Sequence, residues 1–167
     1  TTVSPTYAQE IRTPELGMGM EGVLHKRAAS LYGILNGGDY TRWDPETDPH
    51  IAANYGVEDM TGKTRCKESL IRETGLAQEL LTRPVLGVIS RLDAQKGLDL
   101  VLDAVEDILA LDVGLVVLGA GSRRMEDELV EAQRRFPHRM AVRLGFDDPL
   151  AHRIMAGADI FLVPSRY

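Results

Sequence analysis

At 167 residues, 44% hydrophobic and 26% charged, the chain has the composition of a folded globular protein and none of the marks of disorder. Its formal net charge of −6, with basic residues interleaved among acids, argues against the basic stripe that a sequence-independent grip on nucleic acid requires. No stretch approaches the roughly 18 to 20 apolar residues of a membrane span, no charged-then-apolar leader opens the chain, and one cysteine, Cys66, permits neither an internal disulfide nor a cysteine-rich zinc site, so a cytoplasmic location is expected.

Thr1-Thr2-Val3-Ser4 reads as the end of a strand, and Glu21 to about Tyr32 carries helical spacing through Leu24, Ala28 and Leu31. Gly33-Ile34-Leu35-Asn36-Gly37-Gly38-Asp39 follows, with glycines that permit positive φ and a change of chain direction. A domain junction is expected there, dividing residues 1–38 from 39–167. Residues 40–60, with Trp43, Pro45 and Pro49, read as an ordered loop, and Thr61 to Gly75 as a helix ended by its glycine, with Cys66 on a half-buried face.

From Arg83 onward apolar runs alternate with amphipathic stretches. Strands are predicted at Val85–Ser90, Val113–Leu118, Met140–Leu144 and Asp159–Val163. The first intervening helix lines one face with Leu98, Val101, Leu102, Val105, Ile108 and Leu109; the second, about Arg123 to Phe136, is capped by Ser122; the third has Asp148 as N-cap and Pro149 at its first position. This βαβαβαβ order predicts an α/β fold, a Rossmann-like parallel sheet with helices on both faces, whose ligands bind beyond the carboxyl ends of the strands.

That rule gathers four loops on one edge: Arg91 and Lys96 after the first strand, Gly119-Ala120-Gly121 after the second, Gly145-Phe146-Asp147 after the third and Pro164-Ser165-Arg166 after the fourth. Arg91 offers a planar fork of donors and Lys96 a compact charge, so together they can neutralise a diphosphate; the alternative is a pair of solvated surface charges. The glycine pair Gly119 and Gly121 is common at any tight βα turn, but here it precedes a helix whose free N–H groups would face the same edge. Phe146, aromatic in a strand-end loop, suits stacking on a base. Asp147 and Asp148 read as capping rather than metal-binding, and the chain has no Asp-x-Asp triplet. Among the histidines only His152, one turn into the helix beside Phe146, is a candidate for substrate contact.

Five separated segments then carry a resemblance: Thr2-Val3-Ser4-Pro5-Thr6-Tyr7-Ala8-Gln9-Glu10-Ile11; Gly33-Ile34-Leu35-Asn36-Gly37; Trp43-Asp44-Pro45; Ser90-Arg91-Leu92 with Gln95-Lys96-Gly97-Leu98-Asp99-Leu100; and Ala151-His152-Arg153-Ile154-Met155-Ala156-Gly157-Ala158-Asp159 running into Pro164-Ser165-Arg166. In this order they resemble the bacterial glycogen synthases and the related plant starch synthases. The resemblance implies a GT-B enzyme of two Rossmann-like domains that transfers glucose from ADP-glucose to the non-reducing end of an α-1,4-glucan, with retention and without a metal. It places Arg91 and Lys96 at the diphosphate and departing phosphate, Phe146 against adenine, and Asn36 facing the transferred sugar.

Gly38 departs from the family's usual isoleucine or valine, which implies a looser hinge. The family's Lys-x-Gly-Gly loop and sugar-facing histidine would lie before Thr1, and its Glu-Pro-Cys-Gly-Leu motif after Tyr167, so this segment alone is expected to be an inactive internal piece. No catalytic carboxylate pair is evident. Two alternatives stand beside this reading: a GT-B enzyme of another family using a UDP- or GDP-sugar, against which the Ser4-Pro5-Thr6-Tyr7 and Ile34-Leu35-Asn36-Gly37 segments count, and a non-catalytic nucleotide-binding module.

Overall fold

The structure, a computed structural model, describes residues 1–166 and divides into two compact units, Thr1–Arg42 and the chain from Trp43 onward. The first unit opens with a helix that the spacing did not predict, α1 (Pro5–Glu10), although its start signal is present in the sequence. Ser4 Oγ accepts the Tyr7 N–H at 2.9 Å, and Pro5 begins the helix where no N–H is needed. Thr2 forms one parallel bridge with Gly33, through Thr2 N–H to the Tyr32 carbonyl at 2.9 Å and Ile34 N–H to the Thr2 carbonyl at 2.8 Å. Gly33 is required there because a Cβ would stand 2.0 Å from the Ser4 carbonyl oxygen. Neither it nor Gly37 or Gly38 has positive φ, so the turning role expected of these glycines is not the one they play. The helix expected to reach Tyr32 stops early, as α2 (Glu21–Lys26) followed by a 3-10 turn at Ala28–Ser30. None of α2's residues is buried, and a short helix without a packed face has little to extend it.

The second unit contains a parallel sheet in the order β3-β2-β1-β4, from β1 (Val85–Ile89), β2 (Gly114–Gly119), β3 (Met140–Leu144) and β4 (Ile160–Phe161). Alternate residues serve opposite faces. Leu86, Val88, Leu115 and Val117 pack against α4 (Leu98–Asp103), α5 (Val105–Ala110) and α6 (Arg123–Arg135). Val85, Val116 and Leu118 pack on the other side with Leu70 and Ile71 of α3 (Thr61–Thr74) and Leu150 and Ile154 of α7 (Asp148–Gly157). Burial on both faces is why β1 and β2 read in sequence as unbroken apolar runs.

Capping follows the sequence closely, with two changes. Gly75 ends α3 at φ 77°, and Ser122 Oγ accepts the Met125 N–H at 3.4 Å. The cap of α7 is Asp147 rather than Asp148: its Oδ1 accepts the Leu150 N–H at 2.9 Å, three residues on, and Pro149 moves to the second helical position. The helix expected over 98–109 breaks at Ala104, whose φ of −98° and ψ of 4° separate α4 from α5. Lys63 closes the far end of α7, its Nζ donating to the Ala156 and Ala158 carbonyls at 2.6 Å each. Among the described residues no helix is long and apolar enough to cross a membrane.

Candidate active site

The chain continues past β1 in register with its neighbour. Ser90 N–H donates to the Leu118 carbonyl at 3.1 Å, Leu92 N–H to the Ala120 carbonyl at 2.9 Å, and Ser122 N–H to the Leu92 carbonyl at 3.1 Å. Leu92 is fully buried, so Arg91 before it projects outward, with a side chain 65% exposed. This close lamination explains two glycines. A Cβ on Gly119 would lie 1.9 Å from the Ser90 carbonyl oxygen, and one on Gly121 would lie 2.0 Å from that of Leu92. Gly97 has a similar duty: φ is 70°, and a Cβ would meet the Pro164 carbonyl oxygen at 2.1 Å.

The strand ends enclose an apolar cleft of about 280 Å³, lined among others by Arg91, Gly119, Ala120, Gly145, Phe146 and Asp147. Arg91 supplies its cationic rim. Phe146 stands 94% exposed, following Gly145, whose φ of 115° turns the loop and whose N–H donates to the Gly119 carbonyl at 2.8 Å. An apolar wall, an exposed ring and a guanidinium suit a planar base joined to a phosphate. Lys96 is half-buried on the turn Ala94–Lys96, is not among the residues lining the cleft, and makes no ion pair among the described residues. The N-terminus of α6 is less open to an anion than its sequence implies, because the Gly121 N–H already donates to Glu126 Oε1 at 2.9 Å.

His152 does not line this cleft. It is 2% exposed, its Nδ1 lies 2.6 Å from Asp48 Oδ2, and its ring stacks on Trp43 with centroids 3.8 Å apart and planes 5° from parallel. The reason is its position on α7, where the buried face carries Ala151, His152 and Ile154. Asp48 is held in turn by the His50 N–H at 2.8 Å. Nothing short of the fold joins residues 104 apart, so sequence gave no sign of this pair. Asn36 is exposed in the first unit, in the irregular segment after Gly33.

Sequence reading passed over Asp93, and both it and Gln95, which stands in the Gln95-Lys96-Gly97 segment, touch Arg91: Asp93 Oδ2 is 3.3 Å from Nη1, and Gln95 Oε1 accepts from Nη2 at 3.1 Å. The signal for Asp93 was available, since an aspartate three residues before Lys96 is where a helical turn places its cap. Arg166 was grouped with the ligand edge, but it is bound by Asp99 at 2.7 and 2.6 Å and donates to the Ala94 carbonyl at 2.6 Å, bracing the same turn from outside.

Known proteins match this arrangement from end to end. The glycogen synthase of Anaeromyxobacter sp. (strain Fw109-5) is 52% identical over all 167 residues, and that of Myxococcus xanthus (strain DK1622) is 48% identical over the same span. The chain covers 35% of each, about a third of the curated relatives' length. The catalytic domain of starch synthase IV from Arabidopsis thaliana, solved bound to ADP and acarbose, superposes over 99% of the chain and 34% of its own with a TM-score of 0.94 at 37% identity. The resemblance drawn from the five motifs and the GT-B, Rossmann-like fold class are borne out by these matches. The starch synthase catalytic domain model matches residues 1–26. With the model for glycosyl transferases group 1 matching residues 83–167, which hold the sheet and every residue of the cleft, the chain belongs to the group 1 glycosyl transferases.

Proposed function

We propose that the protein carrying this chain is a glycogen or starch synthase, transferring glucose from ADP-glucose to the non-reducing end of an α-1,4-glucan with retention of configuration. The observation that carries the reading is the cleft at the carboxyl edge of the sheet, lined by both the exposed Phe146 and Arg91. Support comes from the relatives named glycogen synthase and from the starch synthase solved with ADP.

In this reading Phe146 stacks on adenine, while Gly119 and Gly121 let the loop that carries Arg91 lie close to the sheet edge. Arg91 and Lys96 act on the diphosphate. Transfer breaks the bond between the sugar's anomeric carbon and the phosphate oxygen; the electron pair stays on that oxygen as the sugar gains oxocarbenium character. A cation already in place at the leaving oxygen stabilises the transition state more than the ground state, and single donors of this kind are worth roughly 3 to 4 kcal/mol elsewhere. Two such donors would carry the leaving-group charge without a metal. Asn36 faces the transferred sugar, residues 1–38 close an N-terminal Rossmann-like domain, and residues 39–167 begin the nucleotide-binding one. The reaction takes place in the cytoplasm.

The test is glucosyl transfer to glycogen by the full-length protein in the presence of EDTA, comparing ADP-glucose, UDP-glucose and GDP-mannose as donors. Transfer from ADP-glucose, into chains that an α-1,4-specific hydrolase removes, is the expected result. Preference for either other donor would overturn the substrate, loss in EDTA the metal-free mechanism, and nucleotide binding without transfer the enzymatic reading.

A further inference from the structure

The loop between β1 and α4 carries one acid, Asp93, between its two cations, and its two oxygens have different partners. Oδ1 accepts the Lys96 backbone N–H at 2.9 Å and caps the turn Ala94–Lys96. Oδ2 pairs with Arg91 Nη1 at 3.3 Å, and Gln95 Oε1 takes Nη2 at 3.1 Å. The platform beneath is fixed from both sides. Leu92 anchors it in the core, and Arg166 binds the Ala94 carbonyl at 2.6 Å and, through its backbone N–H, the Gln95 carbonyl at 3.0 Å.

A carboxylate next to a phosphate-binding arginine repels the ligand, and an exposed, single-contact ion pair contributes little to folding. The cap accounts for Oδ1 but not for the placing of Oδ2 beside Arg91. Orientation does: Gln95 accepts one N–H of the guanidinium, and the Asp93 charge, 3.3 Å from the other terminal nitrogen, draws that end toward itself, which sets the plane and leaves the remaining donors for a ligand. We propose that Asp93, assisted by Gln95, is the positioning residue for Arg91, and that by bonding the Lys96 N–H with its other oxygen it also fixes the separation of the two cations. This rests on the transfer reaction proposed above. An arginine ordered in advance spares the transition state the cost of immobilising a long side chain, a factor of up to about tenfold.

A double-mutant cycle in the full-length protein tests it. Asp93→Asn and Asp93→Ser both keep an acceptor for the Lys96 N–H and lose the charge that holds Arg91. Each is expected to lower kcat with ADP-glucose by roughly tenfold at an unchanged melting temperature. In an Arg91→Ala background neither should lower kcat further, nor change the Kd for ADP measured by calorimetry, a readout that remains even if that background is inactive. The same loss with and without Arg91 would overturn the proposal, as would unchanged or faster turnover in Asp93→Asn. Failure of the underlying reading looks different: a wild-type protein that neither binds ADP nor transfers glucose removes both, whereas normal transfer with an additive cycle removes this inference alone.

Discussion

Removing the imidazole of His152 leaves a carboxylate in the interior with half its support. Asp48 is 6% exposed at its side chain, and His152→Ala deletes the 2.6 Å bond to its Oδ2 while keeping the His50 N–H on Oδ1 at 2.8 Å. Leaving a buried acceptor without its hydrogen-bond partner costs roughly 1 to 3 kcal/mol. Loss of the Trp43 stack, at 3.8 Å between centroids, adds about 1 kcal/mol. The expected total is about 2 to 4 kcal/mol, or a fall in Tm of roughly 4 to 16 °C for a chain of this size. Trp43 is the single tryptophan and lies on the histidine, so its fluorescence during urea unfolding reports the site directly. Asp48→Asn removes the charge, so the double variant Asp48→Asn/His152→Ala should be more stable than His152→Ala alone by about 1 to 3 kcal/mol. A His152→Ala cost below about 1 kcal/mol, or a double variant no better than the single, would show that the pair does not hold loop 43–56 to α7.

Gly119→Ala, whose Cβ would lie 1.9 Å from the Ser90 carbonyl oxygen, should push the Arg91 loop off the sheet and reduce turnover of the full-length protein by about a hundredfold. Gly145→Ala meets nothing within 4 Å and carries only the strain of φ 115°, so roughly 1 to 3 kcal/mol of stability is the whole expected effect on a urea curve. Lys63→Met strips the donor from the Ala156 and Ala158 carbonyls at the end of α7 and should cost about 1 to 3 kcal/mol by thermal melting. The Arg166 hydrogen bonds hold the Asp99 carboxyl below its ordinary 3.8, so the unfolded chain takes up its proton first on acidification. Stability from this pair is therefore complete above pH 3.8 and lost as pH falls through the lower folded value; Asp99→Asn should flatten that part of the acid titration. Arg91→Ala or Lys96→Ala in the full-length protein is expected to lower kcat by roughly 10² to 10³ while glycogen binding, read by sedimentation with the polymer, changes little.

The sheet was legible because parallel strands buried on both faces leave continuous apolar runs, as in Val85–Ile89 and Gly114–Gly119, and because Ser122 and Gly75 announce the ends of helices in short local patterns. The break at Ala104 was not legible, since neither glycine nor proline lies between Leu98 and Ala110 to mark it. Helix α1 was readable from Ser4-Pro5 yet too short for periodicity to register. The His152–Asp48 pair belongs to another class: neither residue's own segment points to the other, and only the packing of α7 against the loop after Trp43 makes them partners.

The glycines of the site show why the rest of it was hidden. Gly97, Gly119 and Gly121 announce in sequence that something comes close to the backbone, and a ligand is the natural inference at a strand-end edge. In the structure the approaching atoms are carbonyl oxygens of Pro164, Ser90 and Leu92, each at about 2 Å from where a Cβ would be. A missing side chain records the approach without recording what approaches. The same limit applies to Arg91: spacing identifies a cation at the edge where a phosphate belongs, but not that Asp93 and Gln95 already engage its two terminal nitrogens. Those contacts turn on the choice between an exposed charge and an oriented one, and orientation is the property that leaving-group stabilisation depends on.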